Sequence, residues 1–178
     1  MRIVAGRWGG RRLTTPKGTA VRPTADRVRE ALFSILGDFV QDARVLDLFA
    51  GSGALGLEAL SRGAAQATFV DSSAASVAAV RANLEALGGE AAVRRGDALR
   101  FLGAAKGQTR QYDLVLLDPP YRLAERLGRE LSEALPAVLA PAALVVSESD
   151  RRAPLQLDLP LRDERRYGDT LIRIHEPR

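Results

Sequence analysis

The sequence contains no cysteine and one histidine, and only two of its 26 basic side chains are lysine. The absence of cysteine excludes disulfide bonds and thiolate metal sites, which is typical of a protein in a reducing compartment. Long apolar runs are missing too: no stretch approaches the roughly 20 apolar residues of a membrane helix. The first residues also lack the apolar core of a signal peptide. We therefore expect a cytoplasmic protein that does not interact with a membrane.

At 178 residues and 46% hydrophobic, the chain is long enough for one well-buried domain. Its charge is uneven: residues 1–30 hold eight basic side chains against two acidic ones, whereas the remaining 148 residues carry a net charge of −2. A preference for arginine over lysine explains the residue type but not the clustering. Such a cationic patch favours a polyanion such as nucleic acid. The candidate RNA-binding residues are the basic residues of this patch: Arg2, Arg7, Arg11, Arg12, Lys17, Arg22, Arg27 and Arg29.

The pattern of apolar residues predicts the secondary structure. Residues 2–5 and 11–14 are predicted to be short strands around a glycine-rich turn, which together make a basic hairpin. A helix is predicted to begin at Thr24. Its apolar stripe is Val28, Leu32, Ile35 and Leu36. From residue 44 onward, strands and helices alternate, which is typical of a parallel sheet covered on both faces.

The predicted strands of this sheet are 44–49, 67–71, 91–95, 112–118 and 142–148. The predicted helices are 54–62, 73–87, 97–105 and 122–135. Residues 161–167 and 170–175 flank a Gly-Asp turn and predict an antiparallel hairpin at the sheet edge. We expect residues 1–20 to form a basic arm and residues 21–178 to form the main domain.

The most informative stretch is residues 45–60, where a strand enters a glycine cluster and a helix follows. Gly51, Gly53 and Gly56 match G-x-G-x-x-G, in which positions without Cβ let a ligand pass close to the backbone. This pattern alone also fits a dinucleotide-binding enzyme. Asp47 favours another ligand, because a buried carboxylate aimed at the loop would repel a pyrophosphate but suits a cation. S-adenosylmethionine (SAM) carries an ammonium and a sulfonium and no phosphate, so the sequence favours SAM over NAD.

Acidic residues lie near the ends of four predicted strands, where open α/β sheets bind ligands. Asp71 lies twenty residues beyond Gly51, where an acid accepts hydrogen bonds from ribose hydroxyls in either kind of enzyme. Asp97 follows the third strand, and it either accepts from the adenine amino group or caps the next helix. Because the acids lie on separate strand ends, we expect no metal site.

The fourth strand leads into Asp118, Pro119, Pro120 and Tyr121. Two consecutive prolines fix two φ angles and provide no N–H donors. The loop therefore offers acceptors only, namely the Asp118 carboxylate and a rigid carbonyl such as that of Pro119. An exocyclic NH₂ group, which donates two hydrogens from one atom, matches this arrangement. Tyr121 adds a face for base stacking, worth about 1–3 kcal/mol. The alternative is an ordinary turn that ends a strand.

Taken together, these motifs resemble class I SAM-dependent methyltransferases that modify exocyclic amines. More narrowly, the chain resembles the bacterial 16S ribosomal RNA guanine-N2 methyltransferase family of the RsmD type. The central motifs are shared with adenine-N6 and glutamine-N5 methyltransferases, whereas the amino-terminal segment and the Tyr167–Thr170 turn narrow the choice to guanine in ribosomal RNA. The motifs that carry the likeness are residues 2–6, 10–13, 22–24, 27–33, 46–53, 118–121 and 167–170.

The resemblance implies a Rossmann-like, seven-stranded, mostly parallel sheet in the order 3-2-1-4-5-7-6, with the last strand antiparallel and helices on both faces. It implies SAM as cofactor and, as partner, 16S rRNA, free or in a small ribosomal subunit or assembly intermediate; we expect a monomer. The candidate catalytic residues are Asp118, Pro119, Pro120 and Tyr121. The candidate cofactor-binding residues are Asp47, Phe49, Gly51, Gly53, Asp71, Ser72, Asp97 and Ala98. An NAD-dependent oxidoreductase and a non-enzymatic RNA-binding or assembly factor are the alternatives from other classes.

Overall fold

The computed structural model describes residues 1–16, 24–105, 111–120 and 124–178. Its centre is a seven-stranded sheet in the order β3-β2-β1-β4-β5-β7-β6. Strands β1 to β5 are parallel to one another, and β7 is antiparallel to both of its neighbours. The predicted strand order is thus confirmed. The strands are β1 (Arg44–Leu48), β2 (Gln66–Asp71), β3 (Ala92–Arg95), β4 (Tyr112–Leu117), β5 (Leu139–Asp150), β6 (Leu161–Tyr167) and β7 (Thr170–His175).

The helices connect the parallel strands. They are α1 (Thr24–Leu36), α2 (Ala54–Ser61), α3 (Ala74–Leu87), α4 (Ala98–Ala105) and α5 (Ala124–Ala134). Helix α3 shows clear end signals, because the Ser73 hydroxyl accepts from the Ser76 N–H and Gly88 ends the helix with a φ of 64°. Within the part of the chain that the structure describes, no helix is long and apolar enough to cross a membrane.

The core lies on both faces of the sheet. Val45 of β1 packs with Leu57 of α2 in the cluster on one face, and its neighbour Leu46 packs with Leu102 of α4 on the other. All four side chains are at most 1% exposed. Each central strand is buried on both faces, so its sequence is mostly apolar. Such strands are typical of a parallel sheet covered by helices on both faces, which the alternation of strands and helices along the chain predicts.

Strand β5 is longer than predicted, since it begins at Leu139 rather than at residue 142. Proline cannot donate a ladder hydrogen bond, so Pro141 is unexpected inside a regular strand. The structure places Pro141 in an irregular section, where the register between β4 and β5 jumps from Tyr112↔Leu139 to Leu114↔Leu144. An irregularity of this kind accepts proline without loss of the ladder on either side.

Two side chains lie elsewhere than expected. Ile35 of α1 is 38% exposed, and Phe33 takes its place in the core at 1%. As the single histidine, on the last predicted strand, His175 is expected at the surface or an edge, but it is buried at 3% exposure, with Nδ1 3.1 Å from the Leu159 carbonyl. It is buried because β6 pairs with β7 along one edge and the segment after β5 covers one face of β7.

The amino-terminal residues do not form the two predicted strands. A single antiparallel bridge joins Arg2 to Arg12, and the Ile3 N–H donates to the Arg11 carbonyl at 2.9 Å. The next two N–H groups, of Val4 and Ala5, donate to a carboxylate of the main domain instead of to a neighbouring strand. The arm, defined as residues 1–16, is therefore tied to the domain by its backbone.

Candidate functional site

The site lies at one edge of the sheet, where the carboxyl ends of four neighbouring parallel strands meet. Asp47 lies near the end of β1 and Asp71 at the end of β2. Asp97 lies two residues after the end of β3, and Asp118 directly follows β4. The structure thus brings the four predicted acids to a common edge. In the described ranges, no three His, Asp or Glu side chains are close enough together to hold a metal ion.

The glycine loop, residues 49–53, joins β1 to α2. Phe49, Gly51 and Gly53 have positive φ angles of 66°, 56° and 80°. The Gly53 N–H donates to the Ala50 carbonyl at 2.7 Å, which closes a tight turn. A positive φ costs a non-glycine residue about 1–3 kcal/mol, so Phe49 carries backbone strain of the kind found at ligand sites. A Cβ on Gly51 would meet no atom within 4 Å, so the space beside this backbone is open.

Asp47 holds the start of α2, and its interaction with a cofactor stays a prediction. Its side chain is buried at 1% exposure beneath the loop, and Oδ2 accepts from the Gly56 N–H at 2.9 Å. Burial raises the pKa of Asp47 to about 8, although the Gly56 hydrogen bond opposes this rise. The buried surroundings therefore favour the protonated form of this carboxyl. Through its hydrogen bond with Gly56, Asp47 fixes the start of α2 against β1.

Asp71 joins the glycine loop to the start of α3. Its Oδ2 accepts from the Gly51 N–H at 2.8 Å and its Oδ1 from the Ser73 N–H at 2.8 Å. The side chain is half-buried, and each carboxylate oxygen keeps a second lone pair. The carboxylate can thus hold the loop and still accept hydrogen bonds from a diol. Ser72, beside it, is exposed.

Asp97 caps α4. Its Oδ1 accepts from the Arg100 N–H at 3.0 Å, and its own carbonyl accepts the Phe101 N–H at 3.0 Å. Of the two roles considered for this residue, the structure shows the helix cap, and contact with adenine stays a prediction. Asp97 is exposed, whereas Ala98 is buried at 6%.

The acceptor loop, residues 118–120, leaves β4 beside the glycine loop. Leu117, the last residue of β4, pairs with Leu48 of β1, so Asp118 and Phe49 leave adjacent strands at the same level. Asp118 and Pro120 are exposed, and Pro119 is buried. Tyr121 lies outside the described residues. The predicted juxtaposition of the two loops is present, while the contacts of the acceptor loop with a base stay predictions.

The arm is fastened to α2 by Glu58, which is fully buried. Its two carboxylate oxygens accept the Val4 N–H at 2.7 Å and the Ala5 N–H at 3.0 Å. They also pair with Arg29 at 3.3 Å and Arg62 at 2.7 Å. A buried carboxylate is tolerated only when it is neutralised and hydrogen-bonded, and these four donors supply both conditions.

The structure contradicts the prediction that Arg29 binds RNA. Its side chain is 4% exposed and lies between Glu58 and Asp26, which is 2.9 Å away. One of its nitrogens also donates to the Arg2 carbonyl. A guanidinium buried and paired in this way is not accessible to a phosphate, so Arg29 is part of the joint between the arm and the domain.

The other arm and α1 arginines lie at the surface. Arg7 stacks over Trp8, with 4.0 Å between its guanidinium carbon and the ring centroid, and Trp8 itself is buried at 8%. Arg11 donates to the Ala86 carbonyl at 2.6 Å, which leaves its charge uncompensated. Arg12 and Arg27 are exposed. Arg2 is 67% exposed and 3.9 Å from Asp26. Lys17 and Arg22 lie outside the described residues.

Two buried polar residues that hold the arm in place, Glu58 and Asn83, are not among the predicted site residues. Each interrupts an apolar pattern in the sequence, and this interruption is the signal from which its burial could have been predicted. Glu58 stands in the otherwise apolar run of α2. Asn83 follows Val80 by three residues and precedes Leu87 by four, so it lies on the buried stripe of α3. A polar residue on such a stripe is normally hydrogen-bonded, although its partners cannot be read from the pattern.

Comparison with protein families matches residues 1–176 to the family described as Conserved hypothetical protein 95. The Escherichia coli protein named Ribosomal RNA small subunit methyltransferase D is 48% identical over 153 residues, which cover 84% of this chain and 75% of that protein. The Haemophilus influenzae protein of the same name is 39% identical over 160 residues, covering 87% and 81%.

Two solved structures share the fold. A hypothetical protein from Thermus thermophilus superposes with a TM-score of 0.85 at 31% identity over 99% of both chains. The Thermus thermophilus 16S rRNA N2 methyltransferase RsmC, solved with AdoMet and guanosine, superposes with a TM-score of 0.72 at 23% identity. The second match covers 92% of this chain and 45% of that one, and at this identity it shows the fold alone.

Proposed function

The chain belongs to the family described as Conserved hypothetical protein 95, and we propose that it is a SAM-dependent methyltransferase of small-subunit ribosomal RNA that modifies the N2 amine of a guanine. Two relatives of 39–48% identity are named as methyltransferases of this RNA. The observation that carries the proposal is that the glycine loop and the acceptor loop leave adjacent strands, since Leu48 of β1 pairs with Leu117 of β4. A donor site and an amine site at these loops would be neighbours.

The residues present fit SAM. The backbone beside Gly51 is open, and Asp71 has spare lone pairs at the loop edge for the ribose hydroxyls. We assign the cofactor to this cradle, with Phe49, Gly53, Ser72, Asp97 and Ala98 around it. When bound, SAM supplies an electrophilic methyl group on its sulfonium. The case for SAM over NAD rests on the family and the acceptor loop, because the raised pKa of the buried Asp47 weakens the argument from its charge.

The acceptor loop would act by holding the amine. An exocyclic amino nitrogen is a poor nucleophile because its lone pair is delocalised into the ring. Acceptors at the Asp118 carboxylate and the Pro119 carbonyl would bind both of its hydrogens, draw the nitrogen toward tetrahedral geometry and direct its lone pair at the methyl group. Alignment of this kind accelerates a transfer mainly by proximity. Asp118 can also take up the proton that the methylated amine releases.

The distribution of ion pairs favours the arm and α1 over the C-terminal hairpin as the RNA site. In the C-terminal hairpin, arginines are already neutralised: Arg162 pairs with Glu176 at 3.1 Å and Arg165 with Asp163 at 2.7 Å. In contrast, Arg11, Arg12 and Arg27 have no carboxylate within 4 Å among the described residues. Uncompensated guanidiniums bind phosphate without first losing a partner.

We define the RNA surface as five arginines on one side of the domain. It is formed by Arg2, Arg7, Arg11, Arg12 and Arg27, while Lys17 and Arg22, which lie outside the described residues, belong to the same basic segment in sequence. This surface comes from the arm and α1, so it covers the face of the sheet that α2 and α3 also cover. Arg29 is excluded because it is enclosed by carboxylates.

We propose further that the enzyme works as a monomer in the cytoplasm, on 16S rRNA that is free or in a small subunit or assembly intermediate. Ile35 and Leu161 are the large hydrophobic side chains exposed in the part of the chain that the structure describes. Two isolated apolar side chains do not make the contiguous patch that a stable dimer requires.

Incubation of undermethylated small ribosomal subunits with labelled SAM, followed by nucleoside analysis, tests the proposed function. We expect the label in N2-methylguanosine. Label in N6-methyladenosine would move the enzyme to the adenine-N6 class, and label in protein would move it to the glutamine-N5 class. No labelled product, together with RNA binding that ignores SAM, would favour a non-enzymatic assembly factor and overturn the proposal.

A further inference from the structure

A single amide side chain joins the arm to the glycine loop. Asn83 of α3 is buried at 2% exposure. Its Oδ1 accepts from the Thr14 N–H at 2.7 Å, and its Nδ2 donates to the Thr14 carbonyl and to the Ser52 carbonyl, both at 2.9 Å. The orientation of the amide is unambiguous, because an N–H must face an oxygen and the two carbonyls must face the NH₂.

These bonds fix the orientation of the peptide group between Ser52 and Gly53. The carbonyl of this group is held by Asn83, and its N–H is held by the Ala50 carbonyl at 2.7 Å. Held at both ends, the peptide cannot flip, and Gly53 keeps its positive φ of 80°. The loop is therefore ordered before any ligand arrives, which lowers the entropic cost of binding.

The arm also helps to hold the glycine loop in this conformation. Met1 Sδ lies 3.3 Å from the Ser52 hydroxyl, and the Leu13 N–H donates to the Met1 carbonyl at 3.1 Å. Met1 therefore contacts Ser52 directly, and Thr14 is linked to Ser52 through Asn83. The turn of the arm lies elsewhere, where the Ser61 hydroxyl donates to the Ala5 carbonyl at 2.5 Å and accepts from the Trp8 N–H at 3.0 Å.

We propose that Asn83 is a positioning residue for SAM binding, which makes cofactor affinity depend on the hydrogen bonds between Asn83 and the Thr14 end of the arm. The inference rests on the proposed function, because it takes the glycine loop as the SAM site. Asn83 touches neither substrate nor cofactor; it acts by holding the Ser52–Gly53 peptide. Arg11 and Arg12 of the proposed RNA surface lie three and two residues before Thr14, so the same amide links the RNA-binding side of the protein to its cofactor loop.

Two substitutions break this joint in different ways. Asn83→Asp keeps the shape and the bond from the Thr14 N–H, but it loses both donated bonds and places a carboxyl against two carbonyls. Asn83→Ser removes the amide without adding charge. Ser61→Ala is the matched control, because it removes two hydrogen bonds that fasten the other end of the arm, away from the glycine loop.

The test measures S-adenosylhomocysteine affinity by calorimetry on full-length variants, below their melting temperatures. We expect affinity to fall about five- to tenfold in both Asn83 variants, the equivalent of about one hydrogen bond, and to change less than about twofold in Ser61→Ala. In steady-state assays, Asn83→Ser should raise KM for SAM by the same factor and leave kcat near its wild-type value. If Asn83 only stabilised the fold, its replacement would instead lower the fraction of enzyme molecules that are active. The apparent kcat would then fall while KM stayed unchanged.

The outcomes separate this inference from the proposed function. Wild-type protein that binds no S-adenosylhomocysteine overturns both. Wild-type binding with unchanged affinity in the Asn83 variants overturns the inference alone, as does an equal loss in Ser61→Ala. If Asn83→Asp does not fold, Asn83→Ser decides the question.

Discussion

The Gly51 N–H donates a 2.8 Å hydrogen bond to the Asp71 carboxylate, which fixes the glycine loop to the end of the neighbouring strand. The same carboxylate accepts from the Ser73 N–H at the start of α3. Asp71 is thus both a support of the loop and the proposed acceptor for the ribose hydroxyls. The two roles reinforce each other, because the loop brings the open backbone of Gly51 beside the acceptor.

Replacement of Asp71 tests this double role. We expect Asp71→Ala to weaken S-adenosylhomocysteine binding about ten- to a hundredfold, since it removes charge-assisted hydrogen bonds to the ligand and loosens the loop. Isothermal titration calorimetry measures the affinity. The control is Asp38→Ala, which removes an exposed acid of the same charge next to α1. Equal affinity in wild type and Asp71→Ala would contradict the ribose role.

The arginine surfaces can be compared by two triple variants with the same change in net charge. Arg11, Arg12 and Arg27 are changed to Gln in one variant, and the second carries Gln at three paired arginines: Arg162, Arg165 and Arg166. We expect the first variant to bind ribosomal RNA more weakly. Its slope of log affinity against log salt should fall by about 1 for each RNA phosphate that the variant no longer neutralises. Filter binding over a salt series measures both quantities.

Both triple variants change the net charge by the same amount, so a difference in RNA affinity between them cannot come from net charge alone. If affinity and slope fall equally in both, the RNA surface is not localised to the arm and α1. A larger decrease in the C-terminal hairpin variant would place the surface on that hairpin instead.

The buried Asp47 predicts how stability depends on pH. Its pKa rises from an ordinary 3.8 to about 8 on folding, because burial disfavours the charged form. Between these values the unfolded chain releases the proton while the folded protein keeps it. The Asp47 contribution is therefore fully present below pH 4 and is lost as pH rises toward 8.

Asn at this position keeps an oxygen for the Gly56 N–H but has no proton to release. The free energy of unfolding of Asp47→Asn minus that of wild type should therefore increase as pH rises from 4 to 8 and level off above 8. Urea denaturation at a series of pH values gives this difference. A difference that is constant with pH would mean that the folded carboxyl titrates normally.

The elements that the sequence predicts well are those whose signals are local. Gly88 ends α3 by its own conformation, and the turn at Gly168 sets the hairpin of β6 and β7 at the predicted bounds. The strand-end acids could be placed together from the sequence because parallel strands carry their ends to one edge. The order of strands, in contrast, came from the family resemblance.

The predictions that failed depend on partners distant in sequence. Arg29 reads as one of a row of surface arginines, but its position is set by Glu58, which lies 29 residues further along the chain. The arm does not form two strands because Glu58 takes two of its N–H groups. Asp47 was correctly predicted to be buried, but its protonation depends on how completely the surrounding side chains exclude water.

The most direct test of the account measures the single-turnover rate of methyl transfer by Asp118→Ala with SAM and undermethylated small subunits both saturating. The account predicts a rate at least about a thousandfold below wild type, because the variant loses the carboxylate that orients the amine and accepts its proton. Affinity for S-adenosylhomocysteine should stay within about twofold of wild type. Transfer at the wild-type rate would contradict the assignment of the amine site to the acceptor loop.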